Sequence, residues 1–208
     1  MSSRDDILDA ATAIFADKGF DAASVREICA AANANIAGVN YHFGSKAGLY
    51  REAVLQAYHQ SSRTSMPSLA DCGGDADAAL AAWIDWYVLR CVQPGRDATS
   101  RLLLREAAQP SEALTGVVES VLHPVYRSLE EIVRAHLPAS IDPRTLKLHC
   151  LSIIGQCLVH RVCREMIDRL PVEPALGPED ARPIADLVLA NARASLAAAS
   201  PAIPESTP

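Results

Sequence analysis

The stretch that decides the fold runs Ser24-Val25-Arg26-Glu27-Ile28-Cys29-Ala30-Ala31-Ala32-Asn33-Ala34-Asn35-Ile36-Ala37-Gly38-Val39-Asn40-Tyr41-His42-Phe43. Ser24 with Glu27 three residues later is capping-box spacing, in which side chain and backbone satisfy each other's free groups at a helix start. Val25, Ile28, Cys29 and Ala32 then recur at helical spacing. Asn33 ends that helix, because asparagine tolerates the left-handed conformation of a tight turn. Asn35 caps a second short helix through about Phe43, and Gly44 breaks it. Two short helices joined by so few residues form a helix-turn-helix.

Working outward, Ile7, Leu8, Ala11, Ile14 and Phe15 mark an amphipathic helix upstream, with Ser3 as cap, Asp5 and Asp6 in its positive first turn, and Lys18-Gly19 as stop. Downstream, Ser45 caps a helix bearing Leu49, Tyr50, Ala53, Val54 and Ala57. The rest predicts helices over 75–92, 97–108, 112–137 with a kink at Pro124, 142–170 opened by Asp142-Pro143, and 178–199. Residues 61–74 read as a loop, and no strand alternation or internal repeat appears. The expected fold is all-α: an N-terminal three-helix helix-turn-helix domain over 1–60, with the motif at about 24–43, a C-terminal helical bundle over 61–200, and a disordered tail at 201–208.

Composition supports helices. Of 208 residues, 50% are hydrophobic and only 5% aromatic, so a packed core is available and a β-sandwich is disfavoured. The net charge of −6 argues against a protein that coats nucleic acid non-specifically. Residues 1–64 are nearly neutral, with six basic against seven acidic side chains, so the acidity lies mainly outside the N-terminal third. No apolar run approaches the roughly 18 residues that span a bilayer. Ser2-Ser3-Arg4-Asp5-Asp6 lacks the basic-then-apolar pattern of a secretion signal. The expectation is a cytoplasmic protein that makes no use of a membrane and keeps its six cysteines as reduced core thiols.

On the second helix of the motif, Ile36, Ala37, Gly38, Asn40 and Tyr41 occupy the half that reaches base edges in a major groove. Asn40 can pair with adenine, Ile36 or Ala37 can touch a thymine methyl, and Gly38 permits close backbone approach. This helix has no Arg or Lys to grip guanine, so modest direct readout and substantial shape readout are expected. Tyr41, His42, Lys46, Ser24 and Arg26 suit phosphate oxygens, together with the amides that start the capped helices.

Ile7-Leu8-Asp9-Ala10-Ala11, Phe15-Ala16-Asp17-Lys18-Gly19-Phe20, Ser24-Val25-Arg26-Glu27-Ile28 and the run from Val39 to Tyr50 resemble the DNA-binding domain of TetR-family regulators. Residues 151–170 resemble the C-terminal domain of the CecR-like branch. The resemblance implies an all-helical homodimer in which each subunit reads half of a palindromic operator in double-stranded DNA. It also implies a C-terminal body that binds a small-molecule effector and dimerises through its last two long helices. Tyr41, His42 and Lys46 match phosphate-contacting positions of the family. Asn33 stands where the family usually has glycine.

In the C-terminal part, Trp83, Tyr87, His123, Tyr126, Gln156 and His160 are candidate effector contacts. Trp83 and Tyr87, four apart, also suit an ordinary core. Gln156 and His160, four apart on an apolar helix, are more suggestive, because a buried polar pair needs partners. Cys150 and Cys157 lie about 10 Å apart along a helix, too far for one ion to bridge, so no metal and no cofactor is expected. Arg161 and Arg164 are expected to form surface salt bridges. Nucleophile-elbow, Walker, dinucleotide-binding and H-E-x-x-H motifs are all missing, so the chain is not expected to be an enzyme.

Overall fold

A computed structural model describes residues 4–60, 65–92, 101–102, 108, 110, 114–172 and 176–199. Among the described residues there is no strand, as the all-α reading requires. The expected helix over 97–108 falls largely outside the described residues, as does the tail at 201–208.

The chain divides into two compact units: Met1–Arg63 with Pro94–Pro124, and Thr64–Gln93 with Val125–Pro208. The first contains α1 (Arg4–Ala22), α2 (Val25–Ala31), α3 (Ile36–Phe43), α4 (Lys46–Gln60) and the short α6 (Leu114–Val117). Helix α1 packs chiefly on α4 and α2. Ile7, Leu8, Phe15, Ile28, Val39, Leu49, Tyr50 and Val54 form the buried core. Phe15 meets the Tyr50 ring edge-on at 5.0 Å and Phe20 meets it at 5.1 Å. The stop expected at Lys18-Gly19 is present as a break inside α1, where Gly19 takes φ 80° and the chain then completes one more turn.

The second unit contains α5 (Ala76–Val92), most of α7 (His123–Ala135), α8 (Pro143–Val162), the single-turn α9 (Arg164–Ile167) and α10 (Ala181–Ala199). Asp142 caps α8 as expected, accepting from the Thr145 amide at 2.9 Å, and Asp75 caps α5 by accepting from the Ala78 amide at 3.0 Å. Leu80, Trp83, Ile84, Leu129, Ile132, Leu146, Cys150 and Cys157 are fully buried. Helices α5 and α10 are tied at the surface by Asp85–Arg182 at 3.2 Å and by Asp77–Arg193.

Two expectations change in form. The kink at Pro124 is a π-turn over Val118–Leu122, directly before α7. Proline has no N–H, and its ring crowds the carbonyl four residues back, here Ser120; a wider turn makes room for it. The helix expected to reach Leu170 ends at Val162. Cys163 leaves helical geometry (φ −98°, ψ 12°), although its amide still bonds the Val159 carbonyl at 2.9 Å. Arg164 then pairs with Asp168 at 2.9 Å and donates to the Leu176 carbonyl at 2.7 Å, fixing α9 against the following loop.

Candidate nucleic-acid interface

The interface is built from three consecutive caps. At the first, the Ser24 hydroxyl accepts from the Glu27 amide at 3.2 Å, and the Glu27 carboxylate accepts from the Ser24 amide at 3.0 Å. The other Glu27 oxygen is held by the Lys18 ammonium at 2.7 Å. That bond, reinforced by those from Ser24, depresses the Glu27 carboxyl to about 2. The turn follows as a Schellman motif: Ala34 donates to the Cys29 carbonyl at 2.8 Å and Asn33 to the Ala30 carbonyl at 3.3 Å. Asn33 sits at φ 50°, the left-handed conformation expected of it. At the second cap, Asn35 Oδ1 accepts from the Gly38 amide at 2.7 Å, starting α3.

Val39 and Phe43, four apart, anchor α3 in the core, while Ile36, Ala37, Asn40, Tyr41 and His42 lie on its exposed surface. Tyr41 is 86% exposed and Ile36 45% exposed. Beyond an edge contact with the His42 ring, Tyr41 buries little against its own fold and is available to another molecule. Arg26 is exposed on α2. A Cβ at Gly38 would come no closer than 3.4 Å to any atom, the nearest being Asn35 Oδ1, so the chain's own packing does not demand glycine there.

The third cap was only half legible in the sequence. Ser45 Oγ accepts from the Gly48 amide at 3.0 Å, as its capping role implies. A Cβ at Gly48, however, would lie 2.1 Å from the Phe43 carbonyl oxygen. The α3–α4 turn therefore closes only over glycine. The available signal was a glycine inside a helix, which is costly unless something requires it. Lys46, opening α4, is half-buried rather than fully projecting. Its ammonium lies 4.6 Å over the Phe20 ring and donates to the Asp21 carbonyl at 3.2 Å.

The candidate effector residues fall in separate places. Trp83 is fully buried and stacks on Tyr87 at 4.8 Å, and its indole N–H has no hydrogen-bond partner. Tyr126 is half-buried and hydrogen-bonded to Cys150. Gln156 accepts from Asn191 at 2.9 Å and lines a groove of about 280 Å³ between α8 and α10, together with His149, Ser152 and Ser195, none of which the sequence reading proposed. His160 is half-buried, and burial, helped by Arg164, lowers its pKa. His123 is exposed and belongs to the first unit. Cys29, Cys91, Cys150 and Cys157 are buried free thiols, and burial pushes Cys91 up to about 12 and Cys150 to about 11. Among the described residues, no group of three or more His, Cys, Asp or Glu converges as a metal site would require.

Residues 7–53 match the family model described as bacterial regulatory proteins, tetR family. Residues 76–199, more than half the chain, match the C-terminal domain of the HTH-type transcriptional dual regulator CecR. The chain belongs to the TetR family of transcriptional regulators, with a CecR-type C-terminal domain. CecR of Shigella flexneri is 27% identical over 172 residues, covering 77% of this chain and 76% of that protein. YttP of Bacillus subtilis (strain 168), a "probable HTH-type transcriptional regulator", is 39% identical over 64 residues, 31% of either chain. The fold resembles solved TetR-type structures at low identity. AibR in complex with isovaleryl coenzyme A and operator DNA superposes with TM-score 0.58 at 19% identity, covering 89% of this chain and 95% of that one. The fatty acid degradation regulator FadR from Bacillus halodurans gives 0.58 at 17%, covering 90% and 98%. The families and relatives matched are transcriptional regulators, not enzymes, and DNA binding in transcription regulation is the function of this TetR-family chain. Among the described residues no helix is long and apolar enough to cross a membrane.

Proposed function

We propose that this TetR-family protein is a cytoplasmic homodimeric repressor that binds a palindromic operator and is released from it by a small apolar ligand. Residues 1–60 act as the reading head and 61–200 as the effector and dimerisation body. The observation that carries the reading is the exposed surface of α3, where Ile36, Asn40, Tyr41 and His42 are presented to solvent while Val39 and Phe43 hold the helix rigidly in the core. A groove-entering helix has that form. Asn40 reads adenine, Ile36 and Ala37 touch thymine methyls, and Gly38 allows the backbones to approach. Ser24, Arg26, Asn35, Tyr41, His42 and Lys46 surround them and position the head on phosphates. Ser24, Asn35 and Lys46 already hold their own fold, so they serve DNA with their remaining donors and with the amides they align.

For the effector, the unpartnered Trp83 indole and its Tyr87 neighbour suit an apolar molecule carrying one hydrogen-bond acceptor. The structural likeness to AibR, captured with both an acyl coenzyme A and operator DNA, supports an allosteric body of this kind. A ligand releases DNA only by binding one geometry better than the other, and α4 is the lever that joins the head to the remainder. A second reading is favoured by one observation: the relative CecR is named a dual regulator, so control of both signs is the alternative to repression alone.

The test is binding of the full chain to duplexes carrying the inverted repeats beside its own gene, followed by fluorescence anisotropy against a scrambled duplex. The repeat is expected to bind at least about a thousandfold more tightly. Asn40→Ala is expected to relax preference at one base pair per half-site, costing about 1–3 kcal/mol against the cognate base. Equal affinity for repeat and scrambled duplex overturns the proposal.

A further inference from the structure

Helices α5 and α8 end side by side. Asp77 and Asp85 of α5 pair with Arg193 and Arg182 of α10, while His149 and Gln156 of α8 bond Ser195 and Asn191. Helix α10 is therefore antiparallel to both, and α5 runs parallel to α8. An arginine stands in the last turn of each, Arg90 on α5 and Arg161 on α8, and both are half-buried. Two buried thiols lie beside them. Burial pushes the Cys157 thiol up, and so does Cys91, its neighbour across the two helices. Burial raises Cys91 as well, and Arg161 and then Arg90 oppose that rise, so both guanidiniums gather about one sulfur. Arg164, by contrast, is engaged at the surface with Asp168.

The aromatic run of α5 leads to the same place. Trp86, Tyr87 and Arg90 follow Trp83 by three, four and seven residues, so all four share one helix face. The Trp83 ring lies 6.0 Å from that of Trp86, and the Arg90 guanidinium lies 4.9 Å over Trp86. One Arg90 nitrogen, Nη1, is enclosed. Trp83 is fully buried, and its indole N–H meets no acceptor. A buried donor left unsatisfied destabilises a fold, so its presence asks for a reason. A cation in a last turn answers the negative end of its own helix. An exposed side chain does that equally well, and the indole stays unexplained.

We infer that the effector is an organic anion, its oxyanion head held between Arg90 and Arg161 and its apolar body laid along the Trp83, Trp86 and Tyr87 rings, where a second acceptor meets the Trp83 N–H. Two guanidiniums brought together against a buried aromatic wall repel each other, and an anion between them is attracted by both. Hydrogen bonds from a guanidinium to an oxyanion are about twice as strong as neutral ones, and the planar fork fits carboxylate and phosphate alike. Arg90, already stacked on Trp86, loses little further freedom on binding. This inference rests on the effector reading and goes further by assigning the ligand's charge and the two residues that read it.

The chain has two tryptophans and both belong to this site, so their emission reports binding by the full chain without DNA. The probes are para-hydroxyphenylpropionate, its neutral amide, phenylpropionate and para-hydroxyphenylethyl phosphate. Either hydroxylated oxyanion is expected to bind at least about tenfold more tightly than the amide, and the tighter of the two names the head. Arg161→Gln and Arg90→Gln are each expected to weaken the oxyanions about tenfold or more, to leave the amide unchanged and to keep the helical content by circular dichroism. Lysine at either position is expected to restore part of the loss. Trp83→Phe keeps a ring and removes the N–H, so it is expected to erase the advantage of the hydroxylated acid over phenylpropionate, with Trp86 as the reporter. An amide that binds as tightly as the acids overturns the anion head and leaves the apolar effector standing. Oxyanions that bind wild type and Arg161→Gln alike overturn it too. No saturable change with any probe at millimolar concentration also overturns it, and the effector reading falls with it only if apolar compounds fail to release the operator.

Discussion

Replacing Lys46 by alanine separates the fold contacts its ammonium group makes from the phosphate contact proposed for it. The group lies over Phe20 at 4.6 Å and donates to the Asp21 carbonyl at 3.2 Å, which occupies one of its three N–H donors. The cation–π contact contributes about 0.5–1 kcal/mol and the hydrogen bond a similar amount, so Lys46→Ala is expected to destabilise the head by about 1–2 kcal/mol. The proposed DNA contact assigns the two remaining donors to phosphate. Loss of one phosphate contact lowers the slope of log K against log salt by about 0.9. Over a fourfold rise in salt, binding by the wild type is then expected to weaken about 3.5-fold more than binding by the variant. The assay is anisotropy on the cognate repeat and on a scrambled duplex at four salt concentrations, beside thermal unfolding of the same samples. Both duplexes are expected to lose affinity alike, and Lys46→Arg to restore the slope. An unchanged slope with only the stability lost would refute the reasoning: Lys46 would then be a clamp from α4 onto the end of α1, and its match to a phosphate-contacting position would be coincidental.

Gly48→Ala is expected to lower head stability by about 2–3 kcal/mol, because its Cβ would sit 2.1 Å from the Phe43 carbonyl oxygen and the α3–α4 turn must open to admit it. Calorimetry showing an unaltered midpoint would mean the turn is not closed as described. The Glu27 carboxyl is depressed to about 2 in the folded chain from an ordinary 4.5, chiefly by the Lys18 hydrogen bond. Its contribution is therefore fully present above about pH 4.5 and lost as pH falls towards 2. Glu27→Gln is expected to flatten that part of the acid unfolding profile, and identical profiles for the two chains would rule the linkage out.

The reading head was legible because its instructions are local. Ser24 with Glu27, Asn33, Asn35, Gly44 and Ser45 each specify a backbone event within four residues of themselves, and each event occurs where expected. Gly48 escaped because its reason is a carbonyl five residues back, brought close only by the turn itself. The orientation of the Lys46 ammonium escaped because Phe20 and Asp21 lie twenty-five or so residues away along the chain. In the second unit, periodicity located α5, α8 and α10, but it could not say which polar residue faces which helix. Gln156, a candidate effector contact, accepts from Asn191 on α10 and lines the groove there, a partner that spacing alone does not name. The end of α8 at Val162 was equally hidden, since helical spacing continues through Met166 and Leu170 while Arg164 turns to hold the Leu176 carbonyl.

Three glycines inside helices show how a structure separates what a chain needs for itself from what it needs for others. At Gly48 a side chain collides with the chain's own backbone, so the residue is explained from within. At Gly38 the nearest atom to a Cβ is 3.4 Å away, and at Gly155 there is none within 4 Å, so both could be alanine with a gain in helix propensity. Gly38 lies on the surface proposed above for the operator. The opposing signs follow from that difference. Alanine at 38 is expected to leave the subunit fold at least as stable and to weaken operator binding, whereas alanine at 48 is expected to damage the fold first and DNA binding only as a consequence. A stability gain at 38 with unchanged operator affinity would mean that the glycine there answers to neither demand.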